Sequence, residues 1–410
     1  MYEVINGGVT AAKGFKAAGT SAGIKRSGKP DMAMIVSDVL CAAAGTFTSN
    51  VVKAAPVIYD RQIVTEEKYA QVVVVNSGVA NACTGEEGMK ACKDTARKAA
   101  EILPGIDEKA VLVASTGVIG NQIPIDKICG GIEKLAGLVS DTEEAGHEAA
   151  KAIMTTDTVS KEVAVKVVLS DGTEGIIGGM CKGSGMIHPN MCTMLSFVTT
   201  DIAIDQALLQ KALREDIDTT YNMVSVDGDT STNDTCLLLS SGLAGNSPIS
   251  EENEDYALFK EALHAVNETL AKKMAADGEG CTMMFECHVV GADTEANARQ
   301  LARSVISSSL TKAAMFGHDA NWGRILCALG YSGVMFDPAK VTLSISSAAG
   351  DLVIVENGVS TGYSEEVATK ILSETEVVCL CDMHMGEAEG KAWGCDLTHE
   401  YVSINGDYRS

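Results

Sequence analysis

Long apolar runs, basic clusters and leader-like beginnings are all missing from this 410-residue chain, and each absence removes a class of function. No apolar run reaches the length that spans a bilayer, so no membrane partner is expected. No Lys/Arg cluster stands out against a formal net charge of −23, which would repel a phosphate backbone, so no nucleic-acid partner is expected. The beginning, Met1-Tyr-Glu-Val-Ile-Asn, has neither the pattern of a secretory leader nor an Arg-rich amphipathic presequence. Without such a leader, thirteen cysteines read as reduced, mostly buried small hydrophobes, and a cytoplasmic location is the expectation. Prolines number seven and aromatics make up only 4%, against 40 glycines; at 46% hydrophobic and 21% charged, this suits an ordered α/β enzyme built from Ala, Val and Gly.

A chain of 410 residues exceeds the usual single domain and allows two substantial cores, so two lobes are expected. Apolar runs at 32–39, 71–76 and 110–114 read as strands, and 88–102 and 143–154 as helices. Further on, strands are expected at 163–169 and 175–180, a Gly-rich turn at 182–185, and an apolar segment at 194–198. A helix at 206–221, a polar loop at 225–234 and a long helix at 254–275 follow. Strands at 283–290, 341–345 and 377–382 complete the reading. No fixed-period repeat or low-complexity linker is present.

The segment with most chemistry in it is Gly179-Met-Cys-Lys-Gly-Ser-Gly-Met-Ile-His-Pro-Asn-Met-Cys-Thr-Met-Leu-Ser-Phe-Val-Thr-Thr-Asp201. Glycines around Lys182 let the backbone fold tightly against a ligand or against itself. Thr193 follows a small residue and precedes an apolar run. In self-processing hydrolases a threonine hydroxyl attacks the preceding carbonyl, and water opens the resulting ester to free an N-terminal threonine. The new α-amine titrates at about 7.7–8.0 and serves as a base near neutrality. Local pattern alone leaves Thr193 one half-buried strand threonine among many.

This segment resembles the cleavage motif of the ornithine acetyltransferase family, the glutamate N-acetyltransferases of arginine biosynthesis, whose pattern runs Lys-Gly-Ser-Gly-Met-Ile-x-Pro-Asn-Met-Ala-Thr-Met-Leu. Other family-like stretches follow in order: Val9 to Phe15, Ala43 to Asn50, Asn76 to Gly85, Ser115 to Gly120, Ser225 to Asp234, Asn321 to Arg324 and Trp393 to Thr398. The resemblance implies a layered α/β sandwich of the self-cleaving threonine-nucleophile type. It implies cleavage between Cys192 and Thr193, giving an α chain of 1–192 and a β chain of 193–410 with Thr193 as nucleophile, assembled as a heterotetramer of two α and two β chains. Cys192 stands where the family usually has alanine; cysteine is also small, so cleavage is expected to survive, and its rate is what the change bears on. A residue that ends the α chain has no free amine to activate it, which favours Thr193 over the neighbouring thiol.

By the same resemblance, Thr116 and Gly117 form the oxyanion hole, where one donor is worth about 3 kcal/mol of barrier. Substrate contacts carry over to Thr156, Lys182, Thr193, Glu279, Asn405 and Ser410. Lys182 suits a substrate carboxylate, and Glu279 the side-chain ammonium of ornithine. The ending departs from the family in having Gly406 and Arg409. The implied reaction is double displacement: Thr193 Oγ takes acetyl from N2-acetylornithine, ornithine leaves, and the L-glutamate amine attacks the ester. No metal or organic cofactor is implied. Some family members also take acetyl from acetyl-CoA, and the motifs do not separate the two kinds.

Other readings are weaker. Gly23 to Lys29 nearly spells a P-loop, but Pro30 occupies the Ser/Thr position. Cys379, Cys381 and His384, or Cys287 and His288, carry zinc-ligand types without a second Cys-x-x-Cys pair. Ser184 lacks a Gly-x-Ser-x-Gly context. The nearest chemical rival is a self-cleaving N-terminal-nucleophile amidase or aminopeptidase, which would use water as the acceptor.

Overall fold

A computed structural model describes residues 2–188 and 194–407. Sixteen strands lie among the described residues: β1 (Tyr2–Ile5), β2 (Phe15–Thr20), β3 (Met32–Phe47), β4 (Tyr69–Val79), β5 (Val111–Val118), β6 (Lys161–Val168), β7 (Glu174–Lys182), β8 (Leu195–Thr200), β9 (Val224–Ser225), β10 (Thr235–Ser240), β11 (Met284–Ala292), β12 (Thr342–Ser347), β13 (Gly350–Glu356), β14 (Val359–Ser360), β15 (Glu376–Asp382) and β16 (Ala388–Cys395). With helices between them they form two sheets, the mixed α/β class expected. The chain divides into two compact units, one of Met1–Gly183, Pro189–Tyr221 and Thr230–Leu270, the other of Ser184–His188, Asn222–Asp229 and Ala271–Ser410. Each unit therefore draws on residues from both sides of the 192/193 bond.

The first unit holds a nine-stranded sheet in the order β1-β6-β7-β8-β10-β3-β4-β5, with β2 also pairing with β3. The apolar runs of β4 and β5 follow from burial on both faces. On β4, Val73 and Val75 enter one core while Val72 and Val74 enter another; Leu112/Ala114 and Val111/Val113 divide in the same way on β5. Helix Glu143–Ile153 lines the first core with Ala149, Ala152 and Ile153, and helix Ile125–Ala136 lines the second with Ile128, Ile132 and Leu135. The 143–153 helix begins where Thr142 Oγ accepts the Ala145 N–H at 3.3 Å, with Glu143 and Glu144 beside its positive end. Its end delivers the turn at 154–157.

Three sequence expectations need correction. Lys182 closes β7, paired with Leu195, instead of opening a turn. The helix expected over 206–221 stops at Ile217, where the Thr219 and Thr220 hydroxyls bond the Asp216 carbonyl and compete with further helical bonding. The polar loop expected at 225–234 begins inside β9 and runs into β10, an unforeseen strand whose six residues are all buried. β10 lies parallel to β8, and this pairing sets Thr235 opposite Leu195.

The second unit holds a seven-stranded sheet in the order β14-β13-β12-β15-β11-β16-β9. Helix Glu295–Ser307 packs on β11 and β16 and buries Ala298, Leu301, Ala302 and Val305, one stripe at helical spacing.

The parallel β4–β5 ladder ends in a close approach of two glycines. Gly117 has φ +133°, and a Cβ there would stand 2.3 Å from the Gly78 carbonyl carbon. Gly78 has φ +106°, with Lys25 Cγ 3.2 Å from its would-be Cβ. Gly117→Ala should therefore cost about 3 kcal/mol or more in urea unfolding, from backbone strain and overlap together, and Gly78→Ala should cost less.

Candidate active site

Ser115-Thr116-Gly117 ends β5, where the chain leaves the ladder for its loop. Ser115 Oγ donates to Asn76 Oδ1 at 2.6 Å, and the Asn76 amide donates to Val79 O at 2.9 Å. Buried Asn233 clamps the two strand ends from outside the ladder: its amide donates to Ala80 O at 2.5 Å and to Ser115 O at 2.7 Å. Asn233 thereby fixes the position of Thr116 and Gly117, a role with no local signature in the sequence.

Asp157 joins the 154–157 turn to the end of β7. Its fully buried carboxylate accepts Lys161 Nζ at 2.7 Å, Thr155 N–H at 2.9 Å and Gly183 N–H at 2.7 Å, and lies 3.9 Å from Lys182 Nζ. Burial alone would raise this carboxyl, but the charges of Lys182 and Lys161 with the backbone N–H groups outweigh it and hold Asp157 well below the usual carboxylate range. Thr156 and Lys182 are brought to one place by this single acid. Lys25 reaches the same place, donating to Pro30 O and Met154 O at 2.7 Å each. Burial brings its ammonium down to about 8, against the opposing charges of Asp31 and Asp157.

Cys192 and Thr193 lie outside the described residues, as does Ser410. The first described residue after Thr193 is Met194, which is buried and whose backbone N–H is accepted by the carboxyl of Asp234. Asp234 sits just before β10, so the β8–β10 pairing puts it beside Met194. It is fully buried, and Oδ2 has no hydrogen-bond partner among the described residues. Burial pushes this carboxyl well above its ordinary range despite hydrogen bonds from Ser231 and Thr48. Asp234 is thus an acid that folding makes harder to ionise, held beside Met194, and no local pattern singles it out.

In the second unit, Glu279 is buried on the Asp277–Gly280 loop, its N–H donating to Ser184 O at 3.0 Å and Oε2 accepting the Asn405 amide at 2.6 Å. Glu279 and Asn405 are therefore direct partners. Gly185 packs beside them: a Cβ there would stand 2.2 Å from the Glu279 carboxyl carbon and would make that side chain shift. Asp227 orders the same strip of chain by accepting the Met186 and Ile187 N–H groups at 2.6 and 2.9 Å. It also accepts the Tyr401 hydroxyl at 3.2 Å. His188 shares a hydrogen bond of 3.0 Å with Ser225 Oγ, and burial, aided by Arg303, brings its imidazole down to about 4.

The alternative sites fare differently. In the stretch resembling a P-loop, the N–H groups of Ala22, Ile24 and Lys25 already donate to the buried Asp31 carboxylate at 2.6, 2.5 and 2.9 Å, which fills the place of a phosphate. Cys287, Cys379 and Cys381 lie in contact at 3.8 Å on β11 and β15. Among the described residues, no group of three or more His, Cys, Asp and Glu is placed to hold a metal ion. Ser184 Oγ is buried with no hydrogen-bond partner there, so no base activates it.

The model of the ArgJ family matches residues 16–410. The arginine biosynthesis bifunctional protein ArgJ of Symbiobacterium thermophilum is 53% identical over 410 residues, covering all of both chains. The chloroplastic ArgJ of Oryza sativa subsp. indica is 43% identical over 414 residues, covering 99% of this chain and 88% of that one. A solved structure of the ArgJ protein from Bacillus halodurans is 46% identical, with a TM-score of 0.50, and covers 52% of this chain and 99% of its own.

Two outcomes follow from the buried acids. Asp157→Asn leaves Lys161 and Lys182 without their counter-charge and should cost about 3–5 kcal/mol in urea unfolding. Because Asp157 is lowered by folding, its contribution is present above the ordinary carboxylate range and lost as pH falls; the variant should lack this acid-side loss. Asp234 is raised by folding, so it lowers stability as pH climbs from about 4. Thermal melts between about pH 4 and 8 should show a shallower decline in Asp234→Asn.

Proposed function

Because the chain belongs to the ArgJ family of arginine-biosynthesis proteins, we propose that it is an acyltransferase moving acetyl from N2-acetylornithine to L-glutamate through Thr193. The observation that carries this reading is the match to ArgJ proteins along the whole chain. Thr193 Oγ first attacks the Cys192 carbonyl; water opens the ester and leaves 1–192 and 193–410 as separate chains. The freed α-amine then takes the Oγ proton as the hydroxyl attacks the acetyl carbonyl, and passes it to the departing ornithine nitrogen. The glutamate amine attacks the acetyl ester in the second half, restoring the hydroxyl. Thr116 and Gly117 face the oxyanion, Lys182 and Thr156 the substrate carboxylate region, and Glu279 with Asn405 and Ser410 the distal ammonium. No cofactor takes part, and acetyl-CoA is a second acetyl donor on the bifunctional form of this reading.

Several features support the assignment. Lys182 and Thr156 are held together by Asp157, and Glu279 is a buried carboxylate already in hydrogen-bond contact with Asn405. The Bacillus halodurans chain is covered almost completely by about half of this one, close to the share a chain starting at Thr193 would have. The assembly proposed is two copies of each chain, in the cytoplasm; among the described residues no helix is long and apolar enough to cross a membrane.

Thr193→Ala should remain one intact chain by mass and lose acetyl transfer by a factor on the order of 10³ or more. Glu279→Gln should cleave normally and raise KM for N2-acetylornithine about 10- to 100-fold, the worth of a charge-assisted hydrogen bond. Acetate release at the wild-type rate without formation of N-acetylglutamate would identify a hydrolase instead.

A further inference from the structure

Helix Glu143–Ile153 packs on β4, and its last carbonyl groups have no further turn to donate to them. They are met from elsewhere in the chain. Ser77 Oγ donates to Ala152 O at 2.6 Å, and the half-buried ammonium of Lys25 donates to Met154 O and to Pro30 O at 2.7 Å each. A cation also suits this negative end of the helix. The Lys25 backbone is anchored separately, its N–H and that of Ile24 donating to the buried Asp31 carboxylate at 2.9 and 2.5 Å. Lys25 is therefore held at both ends, by Asp31 at its backbone and by two carbonyls at its tip.

Between those anchors the stem passes the end of β4. The three heavy atoms nearest to a Cβ built on Gly78 all belong to Ile24 and Lys25, with Lys25 Cγ 3.2 Å from it. A Cβ on Gly117 would in turn stand 2.3 Å from Gly78 C and 2.6 Å from both Gly78 O and Val79 N, so Gly117 lies directly on that peptide. Lys25, the Gly78–Val79 peptide and Gly117 form three successive layers, and a shift of the first is passed to the third. Asn233 bonds the flanking positions, Ala80 O and Ser115 O, rather than the glycines themselves. The 154–157 turn has its own anchor in Asp157, which gives the Lys25 tip a fixed seat.

We propose that Lys25 is a positioning residue for acyl transfer: seated on the end of the 143–153 helix, it backs Gly78 and so holds Gly117 and Thr116 where the oxyanion forms. This rests on the acyl-transfer reading above. Oxyanion donors act in the transition state far more than on bound substrate, and a displacement of about 1 Å at such a site costs about 100-fold in rate. Lys25→Met, which keeps the stem and removes the donors, should therefore lower kcat for acetyl transfer on the order of 100-fold per cleaved chain, with KM for N2-acetylornithine within about threefold of wild type. Lys25→Arg, which can again reach two carbonyls, should recover about tenfold or more of that loss. Should Lys25→Met fail to fold, Lys25→Gln, which keeps a donor but lacks the reach, carries the same expectation. Amide hydrogen exchange without substrate reads the packing apart from the chemistry: peptides over 76–80 and 114–118 should exchange faster in the Met variant, and peptides over β6 should not. Wild-type transfer tests the acyl-transfer reading, and the variants relative to wild type test the role of Lys25. A raised KM with unchanged kcat would make Lys25 a substrate-binding group and overturn the proposal, as would exchange at 76–80 and 114–118 that matches wild type.

Discussion

Asp157 has no water to solvate its charge, so Lys161, Lys182 and two backbone N–H groups must meet it from within the protein. A carboxylate stripped of solvent is stable only when its counter-charges and donors are held in place, and the elements that hold them become fixed relative to one another. Lys161 starts β6, Thr155 belongs to the turn after a capped helix, and Gly183 follows β7. The acid thus locks three segments around the place where Thr156 and Lys182 converge. Lys25, bound to Met154 O, brings its stem close to Gly78 and extends the same arrangement to the Gly78–Gly117 pair beside Thr116.

Such a site is assembled at the expense of stability. Two lysines near one acid leave net positive charge there, while burial beside the Met194 N–H pushes the Asp234 carboxyl well above its ordinary range. An acid that folding makes harder to ionise weakens the fold at neutral pH. Asp60 carries a similar penalty but has a structural use: it accepts the Val113 N–H of the edge strand β5 at 2.8 Å and so occupies a donor that a foreign strand would otherwise pair with. Buried acids in this protein therefore serve two ends, one at the site and one at a sheet edge.

Much of this was legible in residues whose meaning is local or periodic. The runs at 71–76 and 110–114 are apolar because both faces of β4 and β5 are covered, and the helix at 143–153 is marked by Thr142 and its acidic first turn. Lys182, Glu279 and Asn405 were picked out by motif resemblance, and the last two turn out to be direct partners. Hidden from the sequence were roles that exist only across long separations. Asn233 matters because it reaches Ala80 and Ser115, more than a hundred residues away, and Asp234 because an unforeseen parallel strand sets it beside Met194. Asp157 carries a readable neighbour in Lys161 but not in Gly183. The cleavage residues Cys192 and Thr193 rest on the family motif, which local pattern by itself does not distinguish from an ordinary strand threonine.

Thr193 as the carrier of the acetyl group is the claim on which the rest of the functional account hangs. The most direct test is intact mass spectrometry of the purified protein after mixing with N2-acetylornithine in the absence of glutamate. The account predicts two chains meeting at 192/193, with the mass of one acetyl group added to the 193–410 chain, mapped to Thr193 and removed when glutamate is supplied. An uncleaved chain that transfers acetyl at full rate, or an acetyl group found on any other residue, would contradict it.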